Sequence, residues 1–296
     1  MWTGIELLLI LQDIRLQNPF LEDLFLHSSS KLLFLALPVM VISAFFWFVD
    51  KRQGTIIGLG FTTATATAIA AKFCIAQPRP WILDPRIIQV PGSYASGYSC
   101  PSTHTTMVAS ALFPAAYYSK DRVLTFILLA VAIFVITGRL VLCAHTPLDL
   151  LVALIITFAS LVVARIMVDY GNRGEREFYI SCTAYLIVIS AIVIVAIALW
   201  NADLPNMIGH ASLFYGAIVG MILEHRYLGY TIPSIDVRSI FKRYIVGMVL
   251  SCIIFFIPYL LLGEYGTAAG GFLVMLWIFY GYPRLMMTSG WVSEHL

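Results

Sequence analysis

Charge is scarce in this chain. Only 11% of its 296 residues are Asp, Glu, Lys or Arg, and the formal net charge is +2. A field that weak gives nucleic acid nothing to follow, so no nucleic-acid partner is expected and any use of positive charge must be local. The five cysteines (Cys74, Cys100, Cys143, Cys182 and Cys252) show no CxxC or Cys/His spacing, which argues against a zinc site. Cys74, Cys100 and Cys143 lie beside polar motifs and are read as unpaired membrane cysteines, the alternative being an outer-face disulfide. No repeat with a period of about 20–50 residues is visible, so a transporter built from inverted halves is not indicated. No basic start leads into a small-residue cleavage site, and no removable signal peptide is expected.

What the chain has in quantity is apolar surface. Hydrophobic residues make up 60% of it and the mean hydropathy is +0.89, far above the roughly half-apolar composition of soluble domains. The expected fold class is all-α: a polytopic transmembrane helical bundle. At roughly 20 apolar residues per crossing, about nine spans fit, near 32–49, 54–75, 102–118, 123–143, 147–168, 178–200, 207–223, 244–262 and 268–287. The third is short, and the seventh carries Gly216 and Gly220. Thr and Ala alternate from Thr62 to Thr67 in the second span, a pattern that suits close helix packing in lipid. Residues 1–30 mix Trp2, Ile5, Leu7 and Phe20 with Glu6, Asp13, Arg15 and Glu22. They read as an interfacial amphipathic segment interrupted near Asn18-Pro19.

Nine spans divide the eighteen Lys and Arg residues twelve to six between the two sides. The richer side, with Lys51, Arg52, Arg165 and Arg173, is expected to be cytoplasmic. Lys72, Arg79 and Arg139 are among the six on the other side.

Those three cations belong to a polar constellation that recurs at fixed spacings in an otherwise overwhelmingly apolar chain. It contains Lys72 and Arg79-Pro80, then Pro101-Ser102-Thr103-His104, then Arg139, His145 and Asp149. Nine spans place all three groups on the same non-cytoplasmic rim. Cations at membrane depth are costly and tend to mark functional sites, and three of them with one carboxylate leave a surplus that suits an anion. A guanidinium fork matches a phosphoryl group, and an ammonium acts as a point charge. Asp149 lies four residues after His145, within reach on one helical face, and Thr146-Pro147-Leu148-Asp149 has the form of a helix start. Asp149 either complements the helix dipole or sets the imidazole tautomer so that the other ring nitrogen can attack phosphorus. His104 is suited to protonate a leaving oxygen, and Ser102 opens the third span, where free backbone N–H groups can receive phosphate oxygens.

These motifs resemble the signature of the type 2 phosphatidic acid phosphatase superfamily, which also includes glucose-6-phosphatase and the vanadium haloperoxidases. That signature reads K-x6-R-P, P-S-G-H and S-R-x5-H-x3-D. Lys72, Arg79 and Pro80 match the first motif, Pro101, Ser102 and His104 the second, and Arg139, His145 and Asp149 the third. Thr103 stands where glycine is usual and Gly138 where serine is usual. The resemblance implies that Lys72, Arg79, Ser102, Thr103 and Arg139 bind phosphate, that His145 is the nucleophile oriented by Asp149, and that His104 is the acid. It implies no metal or other cofactor.

The nine-span arrangement, with the first motif after the second span, resembles that of glucose-6-phosphatase. The expected domain plan is an interfacial segment (1–30), a catalytic membrane core (31–170) and further transmembrane helices of the same domain (171–296). The expected substrate is a lipid phosphate monoester or diphosphate such as phosphatidate, isoprenyl diphosphate or a sphingoid phosphate. The alternatives are a sugar phosphate, transfer of the phosphate to an acceptor, and a non-catalytic transporter or scaffold. Membrane lipids are the expected surroundings, and the expected location is the plasma membrane with the site facing outward.

Overall fold

The computed structural model describes residues 4–28, 31–93, 95–200, 202–234 and 236–289, and among them every regular element is helical. Trp2 lies outside the described residues. All nine apolar stretches form helices. Six are long and apolar enough to cross a membrane, and they make the chain an integral membrane protein. They are α4 (Lys51–Ile75), α7 (Arg122–Val141), α8 (Pro147–Gly171), α9 (Glu175–Trp200), α10 (Leu204–Tyr227) and α11 (Val237–Leu262). The remaining three stretches are α3 (Lys31–Ala44), which runs on through a π-helical turn at Phe45–Val49, α6 (Thr103–Tyr118), and α12 (Glu264–Leu276), which continues through a second π turn into α13 (Tyr282–Thr288). At 16 residues α6 is as short as its sequence suggests. Short helices α1 (Ile5–Gln17) and α2 (Pro19–Ser28) precede the bundle, and α5 (Pro80–Leu83) is one turn.

Helix ends follow local chemistry. Asp50, Asp121, Asp203 and Asp236 cap α4, α7, α10 and α11 by accepting from the N–H three residues on, which satisfies a donor that no helical carbonyl reaches. Thr146 and Asp149 form a reciprocal capping box over Pro147 at the start of α8, as the sequence indicates. α4 stops at Ala76, in the left-handed region at φ 49.

Helix α4 is the central strut. Its Lys51 end sits beside the Gly171 end of α8, where Arg52 pairs with Asp169, and Gly60 admits Leu161 at close range. The two helices are therefore antiparallel, and the polar ends carrying Lys72 and Asp149 meet at the far end. The C-terminal helices lock onto the same strut. Trp47 is fully buried and donates from Nε1 to the Ile278 carbonyl at 2.8 Å, while Tyr230 Oη donates to the Trp47 carbonyl at 2.6 Å. Lys51 Nζ meets the buried Glu224 carboxylate at 2.7 Å. Helix α10 lies against α12 backbone to backbone at Gly216, where a Cβ would stand 2.2 Å from the Phe272 carbonyl oxygen; only glycine permits that approach.

The N-terminal helices roof the polar end. Leu8, Gln12 and Arg15 face inward on α1, and Leu7, Ile10 and Ile14 face outward. Of its polar residues, Gln12 and Arg15 are turned toward protein, while Glu6 and Asp13 are exposed alongside Leu7, Ile10 and Ile14. Gln12 is held in the loop after α5, donating to the Arg86 carbonyl at 3.0 Å and accepting from Ile88 N–H at 2.7 Å. The chain breaks between α1 and α2 at Asn18-Pro19, and Phe25 of α2 stacks on Phe134 of α7 at 4.9 Å. All five cysteines are free thiols.

Candidate active site

The site is built where α4, α6, α7 and α8 end together. Lys72 occupies the last turn of α4, His104 the first turn of α6, Arg139 the last turn of α7, and Asp149 the first turn of α8. Arg79 precedes α5, and His145 lies in the turn between α7 and α8. Lys72, Arg79, His104, Arg139, His145 and Asp149 are all buried, as is Ser102, so the three motifs converge into one enclosed cluster. Two helix N-termini, those of α6 and α8, open onto it, and Ser102 N–H donates to the Asp149 carbonyl at 3.2 Å, tying them together. Ser102 caps α6, its Oγ accepting from Thr105 N–H and, at 3.0 Å, from Thr105 Oγ1. Thr103 is half-buried as the first residue of α6. Left-handed, non-glycine residues flank the cluster at Ala76 (φ 49) and Cys143 (φ 51), a local strain of the kind that packed functional sites tolerate.

The histidine nitrogens are distinguished by what faces them. Arg79 Nη1 lies 3.2 Å from His145 Nε2. A guanidinium only donates, so Nε2 is the acceptor and carries the lone pair. The ring proton then sits on Nδ1, which is buried 3.5 Å from Asp149 Oδ2 and makes no formed hydrogen bond. Burial, followed by the Arg79, Arg139 and Lys72 charges, holds the imidazole well below its ordinary 6.5. The ring is therefore neutral, with Nε2 unprotonated. The neighbouring Cys100 and Cys143 thiols are pushed up to about 11, chiefly by burial, and stay protonated.

Asp149 is held on several sides. Oδ1 accepts from Gln77 Nε2 at 3.1 Å; Oδ2 accepts from Ser99 Oγ and, at 2.8 Å, from Thr146 N–H. Neither Gln77 nor Ser99 stands out in the sequence. Gln77 sits inside the first motif at a position its spacing leaves open, and Ser99 is brought in by a loop whose path no periodicity reveals.

The three cations differ in what they have left to give. Lys72 Nζ donates to the carbonyls of Tyr98 (3.0 Å), Ser99 (3.2 Å) and Pro101 (2.8 Å). Arg79 holds the carbonyls of Ser96 (2.6 Å), Gly97 (2.9 Å) and Ala144 (2.8 Å) as well as facing His145. The Gly97 carbonyl is presented from a left-handed turn at φ 62. Arg139 donates once, from Nη1 to the Ser93 carbonyl at 3.0 Å, and its buried Nε and Nη2 have no partner. Buried donors without partners are costly, and an arriving anion is what would satisfy them.

Among the described residues no cluster of His, Cys, Asp and Glu has the makings of a metal site. A cavity of about 480 Å³ lies at the opposite end of the bundle, lined by Lys51, Arg52, Phe178, Tyr185 and Glu224. It is some 30 Å from Lys72 at 1.5 Å per residue along α4, and takes no part in this cluster.

No curated protein and no solved structure matches the chain. A family model does, and the match begins within the first turn of α4 and ends just past α8. Residues 53–173, which carry the entire cluster, belong to the PAP2 superfamily.

Proposed function

We propose that the protein is a metal-independent membrane phosphatase that hydrolyses a lipid phosphate monoester or diphosphate through a phosphohistidine. The PAP2 superfamily is one of phosphatase-type activity. The observation that carries the finer reading is the pairing of a neutral His145, its Nε2 lone pair set by Arg79, with an Arg139 whose Nε and Nη2 are buried and unpartnered.

In this reading the phosphoryl oxygens take the free Arg139 donors and draw the Arg79 Nη1 hydrogen bond away from Nε2. His145 Nε2 then attacks phosphorus. The N–P bond forms as the bond to the alcohol oxygen breaks, and His104 gives its proton to that oxygen. Asp149 stabilises the charge that develops on the ring through Nδ1–H. Water next attacks phosphorus, His104 takes its proton, the N–P bond breaks, and inorganic phosphate leaves. The cations and the α6 N-terminus stabilise the transferring group, the task that Mg²⁺ has in other phosphoryl transfers.

The exposed Leu7, Ile10, Ile14 and Leu16 of α1, above the site, support a substrate with a lipid tail. The twelve-to-six division of cations supports a site on the extracytoplasmic side, at the plasma membrane.

Phosphatidate, isoprenyl diphosphate, a sphingoid phosphate and a soluble sugar phosphate, assayed in EDTA with purified protein and with His145→Ala, test the reading. It expects release of inorganic phosphate from a lipid substrate, lost in the variant. Release from the sugar phosphate alone replaces the substrate class. Radiolabelled phosphate appearing in another lipid replaces hydrolysis with transfer, and release that survives in His145→Ala overturns the mechanism.

A further inference from the structure

The cavity at the Lys51 end of the bundle changes character with depth. Arg52, Asn172, Glu175 and His225 stand exposed at its mouth, whereas Leu59, Val168, Cys182, Tyr185 and Ile218 inside it are buried. Leu59 follows Lys51 by eight residues on α4, so the apolar walls run about 12 Å inward from the helix ends. At about 480 Å³ the space has the size of a small-molecule site and is walled mostly by carbon, as such sites are. Its walls are shared between α4 and α8, within the family match, and α9 and α10, beyond it.

The mouth carries more positive charge than its acids use. Lys51, Arg52, Arg165, Arg173, Arg176 and Arg226 line it or adjoin residues that do, against Asp169, Glu175, Glu177 and Glu224. Lys51 Nζ and the Tyr230 N–H hold Glu224 at 2.7 and 2.6 Å, Arg52 and Arg165 share Asp169, and Arg226 faces Glu175 at 3.7 Å. Arg173 extends over the Tyr170 ring, and among the described residues neither it nor Arg176 meets a carboxylate. Both are exposed. Charged helix ends mark the membrane surface, so the mouth opens at head-group level and the walls lie at acyl-chain depth.

We propose that this cavity binds an anionic phospholipid from the leaflet at this end of the bundle, one acyl chain lying among Leu59, Val168, Cys182 and Ile218 and the head-group phosphate at Arg173 and Arg176. A lipid without net charge would fill the walls and leave two arginines idle. A free anion would meet the arginines and leave the walls empty, and an anionic lipid does both. Bound there, it joins the helices of the family match to α9 and α10. It is a structural ligand that stabilises their docking and takes no part in the chemistry at His145.

The test is thermal unfolding of the full-length protein in a nonionic detergent, with added dioleoylphosphatidylglycerol, with dioleoylphosphatidylcholine at the same mole fraction, or with inorganic phosphate. Phosphatidylglycerol is a phosphodiester, so it offers the His145 cluster no phosphomonoester. The proposal expects phosphatidylglycerol to raise the midpoint saturably, in wild type and equally in Arg139→Met, with phosphatidylcholine giving a much smaller rise. Arg173→Gln/Arg176→Gln should weaken phosphatidylglycerol about 10- to 30-fold, the worth of two cations at a membrane surface. Cys182→Phe, which fills the cavity, should abolish the response to both lipids. Equal rises with the two lipids, or none with phosphatidylglycerol, overturn the proposal. So does a phosphatidylglycerol response that Cys182→Phe leaves intact, which places the lipid elsewhere, or one that Arg139→Met removes, which places it at the His145 cluster. A phosphate response that survives Arg139→Met and is lost in the double arginine variant assigns the mouth to a free anion and overturns it as well. If Cys182→Phe does not fold, Val168→Phe fills the same space from α8, and the double arginine variant, made at exposed positions, decides alone should both fail.

Discussion

Arg139→Met separates what the buried guanidinium costs from what it does. In the unliganded protein, Arg139 is fully buried, makes one hydrogen bond to Ser93 and leaves Nε and Nη2 unpartnered. Each unpartnered donor costs about 1–3 kcal/mol, and a methionine of similar length carries neither. Replacing poorly compensated buried charge by apolar volume is often neutral or stabilising by about 1–4 kcal/mol, even after the Ser93 bond is lost. The variant should therefore unfold at the same temperature as wild type or higher.

Binding should move the other way. Two charge-assisted hydrogen bonds to an anion are worth about 1.5–3 kcal/mol each. Losing both weakens the anion by roughly 10²- to 10⁴-fold at about 1.4 kcal/mol per decade. The assay is thermal unfolding of detergent-solubilised protein with and without orthovanadate, since a ligand that binds only the folded state raises the midpoint. Wild type should rise with vanadate, and Arg139→Met should start as high or higher and not respond. A variant that melts well below wild type and keeps the full vanadate response would make Arg139 a structural residue and refute the reasoning.

Three further outcomes follow from the same geometry. With the neutral imidazole as the proposed nucleophile, activity should fall as His145 is protonated. Its pKa is depressed by burial and then by Arg79, which puts the acid limb of kcat/KM below 6.5, and Arg79→Met should shift the residual activity's limb upward. The linked stability has the same sign: the unfolded chain binds this proton first, so the stability His145 confers is complete above about 6.5 and is lost as pH falls through the folded value. Gly216→Ala places a Cβ 2.2 Å from the Phe272 carbonyl oxygen, forcing α10 and α12 apart at a cost of about 1–3 kcal/mol, visible as a lower unfolding midpoint. Lys51→Met leaves the buried Glu224 carboxylate with the Tyr230 N–H but no counter-charge. It should cost about 1–3 kcal/mol of stability, seen as a lower midpoint and less than a fully buried pair would give because Lys51 is partly exposed, while kcat stays unchanged across the roughly 30 Å of α4.

The helices were legible because burial in lipid demands long apolar runs, and nothing in this composition competes with that signal. The Thr146-Pro147-Asp149 start of α8 was legible because caps are local chemistry. The π turns at Phe45–Val49 and Trp277–Gly281 were not, since they answer to packing between helices distant in sequence, as the Trp47 bond to Ile278 shows. The site divides in the same way. His145, Asp149, His104 and the cations announce themselves as rare charges at fixed spacings, and Lys72, Arg79 and Arg139 were all assigned to phosphate on that basis. What each cation has left to donate depends on where the carbonyls of residues 93–101 come to rest. That loop is placed by Gln77, Asp149 and the cations themselves, and the sequence carries no mark of it.

The central claim, that His145 is the nucleophile, is tested most directly by trapping the intermediate. Phosphatidate or isoprenyl diphosphate labelled at phosphorus is turned over in EDTA, quenched in alkaline detergent, and the protein assayed for bound label. The account predicts a base-stable, acid-labile phosphoryl group on His145 in wild type and none in His145→Ala. Label on another residue, or full turnover by His145→Ala, would contradict it.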